Sequence, residues 1–114
     1  MINIYLDDLR PEPDGFVLAK NVEECIKLFS ENKVNIISLD HDLGEELTGY
    51  DFVKWMISGY VYGAFDLPKT IILHTANPVG RENMAQLIER YKPSGVKLYQ
   101  FPLYFGNCYY TCSD

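Results

Sequence analysis

The chain has 114 residues, of which 47% are hydrophobic and 14% aromatic, so it can bury a core and is not intrinsically disordered. Its net charge of -6 argues against binding to duplex nucleic acid or to an anionic membrane surface. No apolar run approaches the roughly 20 residues that span a bilayer, and no basic signal-peptide region opens the chain. We expect one cytoplasmic domain over residues 1–114, with a core over 1–102 and an aromatic tail over 103–114.

The first half of the chain predicts two strands and a helix. Residues 2–6 form a short apolar run, as expected for a buried strand. Residues 9–15 contain two prolines and an Asp-Gly pair, which predicts a loop where a first crossover helix would otherwise lie. The second strand covers 16–19, and a capped helix covers 21–32. The short loop leaves open whether the first two strands run parallel.

The second half alternates strands and helices. The β-branched run 34–39 predicts a strand, and Thr48 begins a helix that ends near Gly59 or Gly63. Further strands are expected at 70–73 and 96–101, separated by a helix over 78–91. This alternation predicts an α/β fold with a five-stranded, mostly parallel sheet, covered on both faces to give three layers.

The three cysteines are expected to be structural. They are Cys25, Cys108 and Cys112, an odd number without a CxxC pair, which argues against a disulfide framework and a zinc site. Cys25 falls on the apolar face of the first predicted helix.

The only two histidines, His41 and His74, both follow strand ends. Ligands of parallel sheets bind beyond the carboxyl ends of the strands, and histidine transfers protons near neutral pH. The pair therefore predicts an acid and a base that transfer protons at this edge of the sheet. The alternative is that each histidine only orients neighbouring loops.

Four aspartates fall at the same strand ends: Asp7, Asp8, Asp40 and Asp42. Clustered carboxylates repel one another unless a cation lies among them, which predicts Mg²⁺ or Mn²⁺. Asp8 and Asp40 are the main expected ligands, with Asp7 and Asp42 assisting. Loop capping and turn contacts are the alternative roles.

The start of the helix over 78–91 predicts a phosphate-binding segment. A helix N-terminus offers unpaired N–H groups, Gly80 permits close approach, and Arg81 can bind phosphate oxygens. Thr75 and Asn77 belong to the same predicted substrate-binding group, and Arg10 could reach it from the first loop. The alternative is an ordinary capped helix with a surface arginine.

Aromatic residues concentrate at the C-terminus. They could stack on a base. The favoured interpretation is that they belong to the core or form a homodimer contact. The residues are Tyr99, Phe101, Tyr104, Phe105, Tyr109 and Tyr110.

Several motifs resemble a known family. The acidic pair after the first strand, Asp40 and the Thr-Ala pair after the fourth strand are arranged as in response-regulator receiver domains. The segments LDDLRP (6–11), SLDHDLG (38–44) and HTANPVGR (74–81), together with Thr48-Gly49, resemble the cyclic-phosphate-processing receiver-like family over about residues 1–100. The resemblance implies a receiver-like (flavodoxin-like) sandwich and a role on cyclic or terminal phosphates of nucleotides or RNA.

One departure from receivers bears on function. Phe101-Pro102 stands where receivers carry Lys-Pro, so a phosphorylation switch at Asp40 is the least favoured interpretation. The leading hypothesis is metal-assisted hydrolysis of a cyclic phosphate on a nucleotide or RNA end. The alternative is a catalytically silent receiver-like module that binds a nucleotide or a protein.

Overall fold

The computed structural model describes residues 1–101 and, beyond them, only the backbone of three short strands. The expected roles of the tail aromatics and of Cys108 and Cys112 therefore lie outside the described side chains. Cys25 is buried on the first helix, as predicted.

Strands and helices alternate along the chain. In the first half, the elements are β1 (Ile2–Leu6), β2 (Val17–Ala19), α1 (Val22–Glu31) and β3 (Val34–Leu39). In the second half, they are α2 (Gly49–Val61), β4 (Thr70–Leu73), α3 (Pro78–Tyr91) and β5 (Lys97–Gln100). The short strands β6 (Leu103–Tyr104), β7 (Asn107–Cys108) and β8 (Thr111–Ser113) follow. No helix lies between β1 and β2, which confirms the predicted loop.

The main sheet has the strand order β2-β1-β3-β4-β5-β8. The first five strands are parallel, including β1 and β2, whose orientation the sequence left open. Strand β8 pairs antiparallel with β5 at the edge. The receiver-like α/β fold with five parallel strands is thus confirmed.

All three helices lie on one face of the sheet. Each of the connections through α1, α2 and α3 leads to a strand that lies farther from β2 in the sheet. Because crossovers between parallel strands are right-handed, connections that run in one direction place their helices on the same side of the sheet. Helix α2 accordingly packs against both α1 and α3. Within residues 1–101 the sheet and these helices make two layers, so no helix forms the expected third layer. The connection that runs in the opposite direction, from β1 to β2, is the short proline-containing loop.

The hydrophobic core fills the space between the sheet and the helices. Alternate strand residues face it in register, for example Ile4, Ile37 and Ile71, and all three are fully buried. From the helices, Phe52 and Met56 complete the contact. Burying such a side chain contributes about 1.5–3 kcal/mol, so this row fixes the register of the central strands.

The second face of the sheet, opposite the helices, has a different composition. Tyr5, Ser38, Ile72 and Tyr99 lie side by side across it in register. Tyr5 and Ser38 are buried, and Ile72 and Tyr99 are partly buried. This row lies close to the carboxyl ends of the strands, where the predicted site residues lie.

None of the described helices combines the length and the apolar composition that a bilayer span requires.

Helix α2 begins in tight contact with the loop that follows β3. The N–H of Gly49 donates to the carbonyl of His41 at 2.8 Å, and a Cβ added to Gly49 would lie 1.9 Å from the carbonyl oxygen of Asp40. Glycine is required here because the two backbones touch.

We predict that Gly49→Ala destabilises the protein by about 1–3 kcal/mol, the usual effect of overpacking. Gly95→Ala is the matched control, since a Cβ there would meet nothing within 4 Å. Urea unfolding of both variants measures the difference. Equal stability of the two variants would contradict the contact.

Candidate functional site

Three buried side chains meet at the carboxyl ends of β1, β3 and β4. One ligand atom from each of Asp7, Asp40 and His74 lies within 4.8 Å of the other two. Their residues are 1%, 7% and 5% exposed. We refer to these three residues as the carboxylate–histidine group.

Asp7 is the most highly bonded member of this group. Its Oδ1 accepts the backbone N–H groups of Leu9 and Arg10, both at 2.9 Å. Its Oδ2 accepts Nη1 of Arg10 at 2.8 Å and Nε2 of His74 at 3.0 Å. Burial by itself would raise the pKa of Asp7, but the hydrogen bonds from Arg10, Leu9 and His74 together lower it. Asp7 is therefore a carboxylate at neutral pH.

Arg10 bridges the two carboxylates. The Nη1 atom that contacts Asp7 also lies 3.3 Å from Oδ2 of Asp40. The sequence placed Arg10 on a substrate phosphate, but here its guanidinium compensates the charge of the aspartates.

His74 is enclosed on the second face of the sheet. Its Nδ1 lies 2.6 Å from Oγ of Ser38, and its ring stacks on Tyr5 with centroids 4.3 Å apart. Burial lowers the pKa of His74, against the opposing effect of Asp7, so the imidazole is neutral. A carboxylate only accepts hydrogen bonds, so the network assigns the proton to Nε2, which donates to Asp7, while the Ser38 hydroxyl donates to Nδ1.

These partners of His74 were missed by the sequence analysis. Tyr5 and Ser38 are register partners on adjacent strands, and strand alternation places both on the same face as the residue after Leu73. With both ring nitrogens engaged, His74 is not placed to transfer a proton to a substrate, as the sequence predicted for the two histidines.

His41 occupies a more open position. Its Nδ1 lies 2.9 Å from Oδ1 of Asp42, and its backbone N–H donates to Oδ1 of Asp40 at 2.8 Å. Its ring packs against Gly80, where an added Cβ would lie 2.4 Å from the imidazole. Within the described residues no side chain binds Nε2 of His41, which leaves that atom for a substrate or water. The hydrogen bond from His41 lowers the pKa of Asp42.

The N-terminus of α3 has less capacity for an anion than the sequence suggested. Pro78 has no N–H, and the N–H of Gly80 donates to Oδ1 of the N-cap Asn77 at 3.0 Å. In this first turn, Val79 keeps a backbone N–H that is not used by the cap. The glycine at position 80 is explained by the packing of His41.

Thr75, Asn77 and Arg81 connect α3 to the strand ends. The N–H of Asn77 donates to Oγ1 of Thr75 at 3.1 Å, and Nδ2 of Asn77 lies 3.3 Å from Oδ2 of Asp42. Nη1 of Arg81 donates to the carbonyl of Thr75 at 3.3 Å. Arg81 lines a separate cavity beside Gln100.

Asp8 lies away from the carboxylate–histidine group. Its Oδ2 is next to Gly44, 2.8 Å from where a Cβ would be. Side chains alternate between the faces of a strand, so Asp7 shares the face of Tyr5 while Asp8 points the other way. Asp7, and not Asp8, therefore lies with Asp40.

A cavity of about 270 Å³ opens beside the carboxylate–histidine group. It is just below the usual range of about 300–1,000 Å³ for small-molecule pockets, so it suits the phosphate end of a nucleotide better than the whole molecule. Its lining residues are Leu9, Arg10, Asp40, Asp42, Thr75, Ala76 and Asn77.

The strand order and the acidic groups at the carboxyl ends of β1 and β3 define a receiver-like α/β domain. More narrowly, the chain belongs to the cyclic-phosphate processing receiver domain family, which matches residues 2–90. That match extends from β1 through nearly all of α3. A comparison with curated proteins finds no significant match.

The lowered pKa values of His74 and Asp7 both make the folded state less stable as the pH falls. The folded pKa of His74 lies below its ordinary value of 6.5, so the unfolded chain binds more protons and the free energy of unfolding falls as the pH drops below 6.5. The lowered folded pKa of Asp7 adds stability that is present above its ordinary value of 3.8. That stability is lost as the pH falls through the folded pKa.

We predict that His74→Gln flattens the decline in stability that begins below about pH 6.5, because the substituted residue does not titrate. Urea unfolding at several pH values, with a chelator present, measures the slope. A slope equal to that of the wild type would contradict the assignment to His74.

Proposed function

We propose that this domain hydrolyses a cyclic phosphate on a nucleotide or an RNA end, assisted by a divalent cation. One observation carries the proposal: Asp40 belongs both to the carboxylate–histidine group and to the lining of the adjacent cavity. A cation bound by that group would then adjoin a phosphate bound in the cavity. The family to which the chain belongs supports this substrate class.

The donor set fits a divalent cation. Asp7 and Asp40 offer carboxylate oxygens. His74 would offer Nε2 in the tautomer that carries its proton on Nδ1 and donates it to Oγ of Ser38. Carboxylates suit Mg²⁺ and Mn²⁺, and the imidazole favours Mn²⁺ of the two. Such a cation, when bound, polarises a phosphoryl oxygen and offsets the charge that develops on it.

The two histidines have different environments, so we assign them different roles. His41, oriented by Asp42, accepts the proton of the attacking water. Water oxygen then bonds to phosphorus, the ring P–O bond breaks, and the leaving ribose oxygen takes a proton from solvent. His74 donates to Asp7 in the metal-free site and would bind the cation through Nε2 instead when one is present. In both states Nδ1 is bonded to Ser38, so His74 has no proton for the leaving group.

The remaining predicted substrate residues divide into two sets. Arg10, Thr75 and Asn77 line the cavity and would contact the phosphate. Gly80 and Arg81 act indirectly. Gly80 leaves room for the ring of His41, and Arg81 donates to the carbonyl of Thr75.

One observation favours a second candidate, a module that binds a nucleotide without turnover. Arg10 already compensates the charge of both aspartates, so the carboxylate pair is stable without a metal ion. Turnover distinguishes the two candidates.

We predict that the domain opens 2′,3′-cyclic nucleotides or cyclic RNA ends in the presence of Mn²⁺, a reaction visible by mass spectrometry as the addition of one water. His41→Gln should slow turnover by about 10²- to 10⁴-fold, as is typical for loss of a positioned base. Its binding of the cyclic nucleotide should be retained. Binding without turnover by the wild type would favour the silent module, and full activity of the variant would remove His41 from the mechanism.

We also predict that Asp40→Asn weakens Mn²⁺ binding by about tenfold or more, because a charged ligand is lost. Asp66→Asn is the matched control, since it makes the same charge change at an exposed position. Electron paramagnetic resonance of free Mn²⁺ measures both affinities. Equal affinities would exclude Asp40 from the cation site.

A further inference from the structure

The guanidinium of Arg10 uses the carboxylate oxygens that a metal ion would need. Oδ1 of Asp7 accepts two backbone N–H groups, and Oδ1 of Asp40 accepts the N–H of His41. The other oxygen of each carboxylate, Oδ2, contacts Nη1 of Arg10. The oxygens that are not committed to the backbone are therefore the two that Arg10 contacts.

We infer that Arg10 is an internal counter-cation that competes with a divalent metal ion for Asp7 and Asp40. Metal binding displaces its guanidinium from the carboxylates into the adjacent cavity, where it contacts the phosphate. This inference rests on the proposed function in that it assumes a cation site at the carboxylate–histidine group.

The charges of the group explain why the two cations exclude each other. The two carboxylates and the guanidinium between them sum to one negative charge. A divalent ion added beside the guanidinium would make the group positive and place two cations in contact, which the buried surroundings penalise. Replacement of the guanidinium by the metal ion avoids that contact.

The side chain of Arg10 can move while its backbone stays in place. The N–H of Arg10 is bonded to Oδ1 of Asp7 at 2.9 Å, which anchors the loop independently of the guanidinium. The side chain is 39% exposed, and Arg10 already lines the cavity. A rotation of this side chain would exchange its contacts with the two carboxylates for a contact with phosphate in the cavity.

The competition couples metal and phosphate binding. A phosphate in the cavity stabilises the displaced guanidinium, so it raises the affinity for the metal ion, and the metal raises the affinity for phosphate by the same factor. Without phosphate, Arg10 holds the site in a metal-poor state. Arg10 therefore makes the loading of the cation depend on the presence of substrate.

The test is titration with Mn²⁺, followed by electron paramagnetic resonance, of the wild type, Arg10→Gln and Arg90→Gln. Arg90 is exposed on α3 and provides the same loss of charge at a distance from the site. Loss of a charge-assisted hydrogen bond predicts that Arg10→Gln binds Mn²⁺ about tenfold more tightly than the other two proteins. Added inorganic phosphate should raise the affinity of the wild type and leave that of Arg10→Gln nearly unchanged.

Arg10→Lys covers the case in which Arg10→Gln fails to fold, because it keeps the charge but lacks the planar fork. Arg10→Lys should bind Mn²⁺ more tightly than the wild type does. Urea unfolding measures whether this variant is folded. Equal or weaker Mn²⁺ binding by the folded Arg10 variants would overturn the competition. Tighter binding without turnover of any cyclic phosphate would leave the competition standing and refute the proposed hydrolysis.

Discussion

The site depends on the burial of one carboxylate, that of Asp7. An ionised group with 1% exposure is stable only when its oxygens are hydrogen-bonded, and Asp7 achieves this with two backbone N–H groups, Arg10 and His74. The bonds from Leu9 and Arg10 also shape the start of the loop that takes the place of the first crossover helix. The bonds to Asp7 fix the guanidinium and the imidazole as well, so the position of the site and the shape of the loop have the same physical cause.

The directions of the crossovers determine which side of the sheet carries the site. Because all three helices lie on one face, the alternation of strand residues places Tyr5 and Ser38 on the other face, and Asp7, Asp40 and His74 continue that alternation past the strand ends. The contacts of His74 with Tyr5 and Ser38 agree with this placement. The carboxylate–histidine group is thus an extension of the second face of the sheet, formed where aromatic and hydroxyl side chains can enclose an imidazole.

Local features were predictable from the sequence, and contacts between distant segments were not. The strand ends and the N-cap residues of α1 and α3, Asn21 and Asn77, depend on a few neighbouring residues, so local residue patterns sufficed to predict them. The choice between Asp7 and Asp8 depends on the pleat of β1, and applying its two-residue period beyond Leu6 would have identified Asp7. The pairing of Arg10 with Asp40, 30 residues away, has no signature in the sequence, because any nearby anion satisfies a guanidinium equally well.

The contacts of Asp40 favour a role as ligand over a role as phosphoacceptor. A nucleophilic carboxylate needs an oxygen free to attack phosphorus. Oδ1 of Asp40 accepts the N–H of His41, and Oδ2, which contacts Arg10, is the oxygen that the proposed metal ion would occupy. The residue after β5 is Phe101, so this position supplies no ammonium group to pair with a phosphorylated aspartate. Meanwhile His41 and Asp42, which directly follow Asp40, form a hydrogen-bonded pair beside the cavity. These contacts support the proposed role of this strand end, which is to act on a phosphate that belongs to a ligand, whereas in a signalling receiver the corresponding aspartate itself becomes phosphorylated.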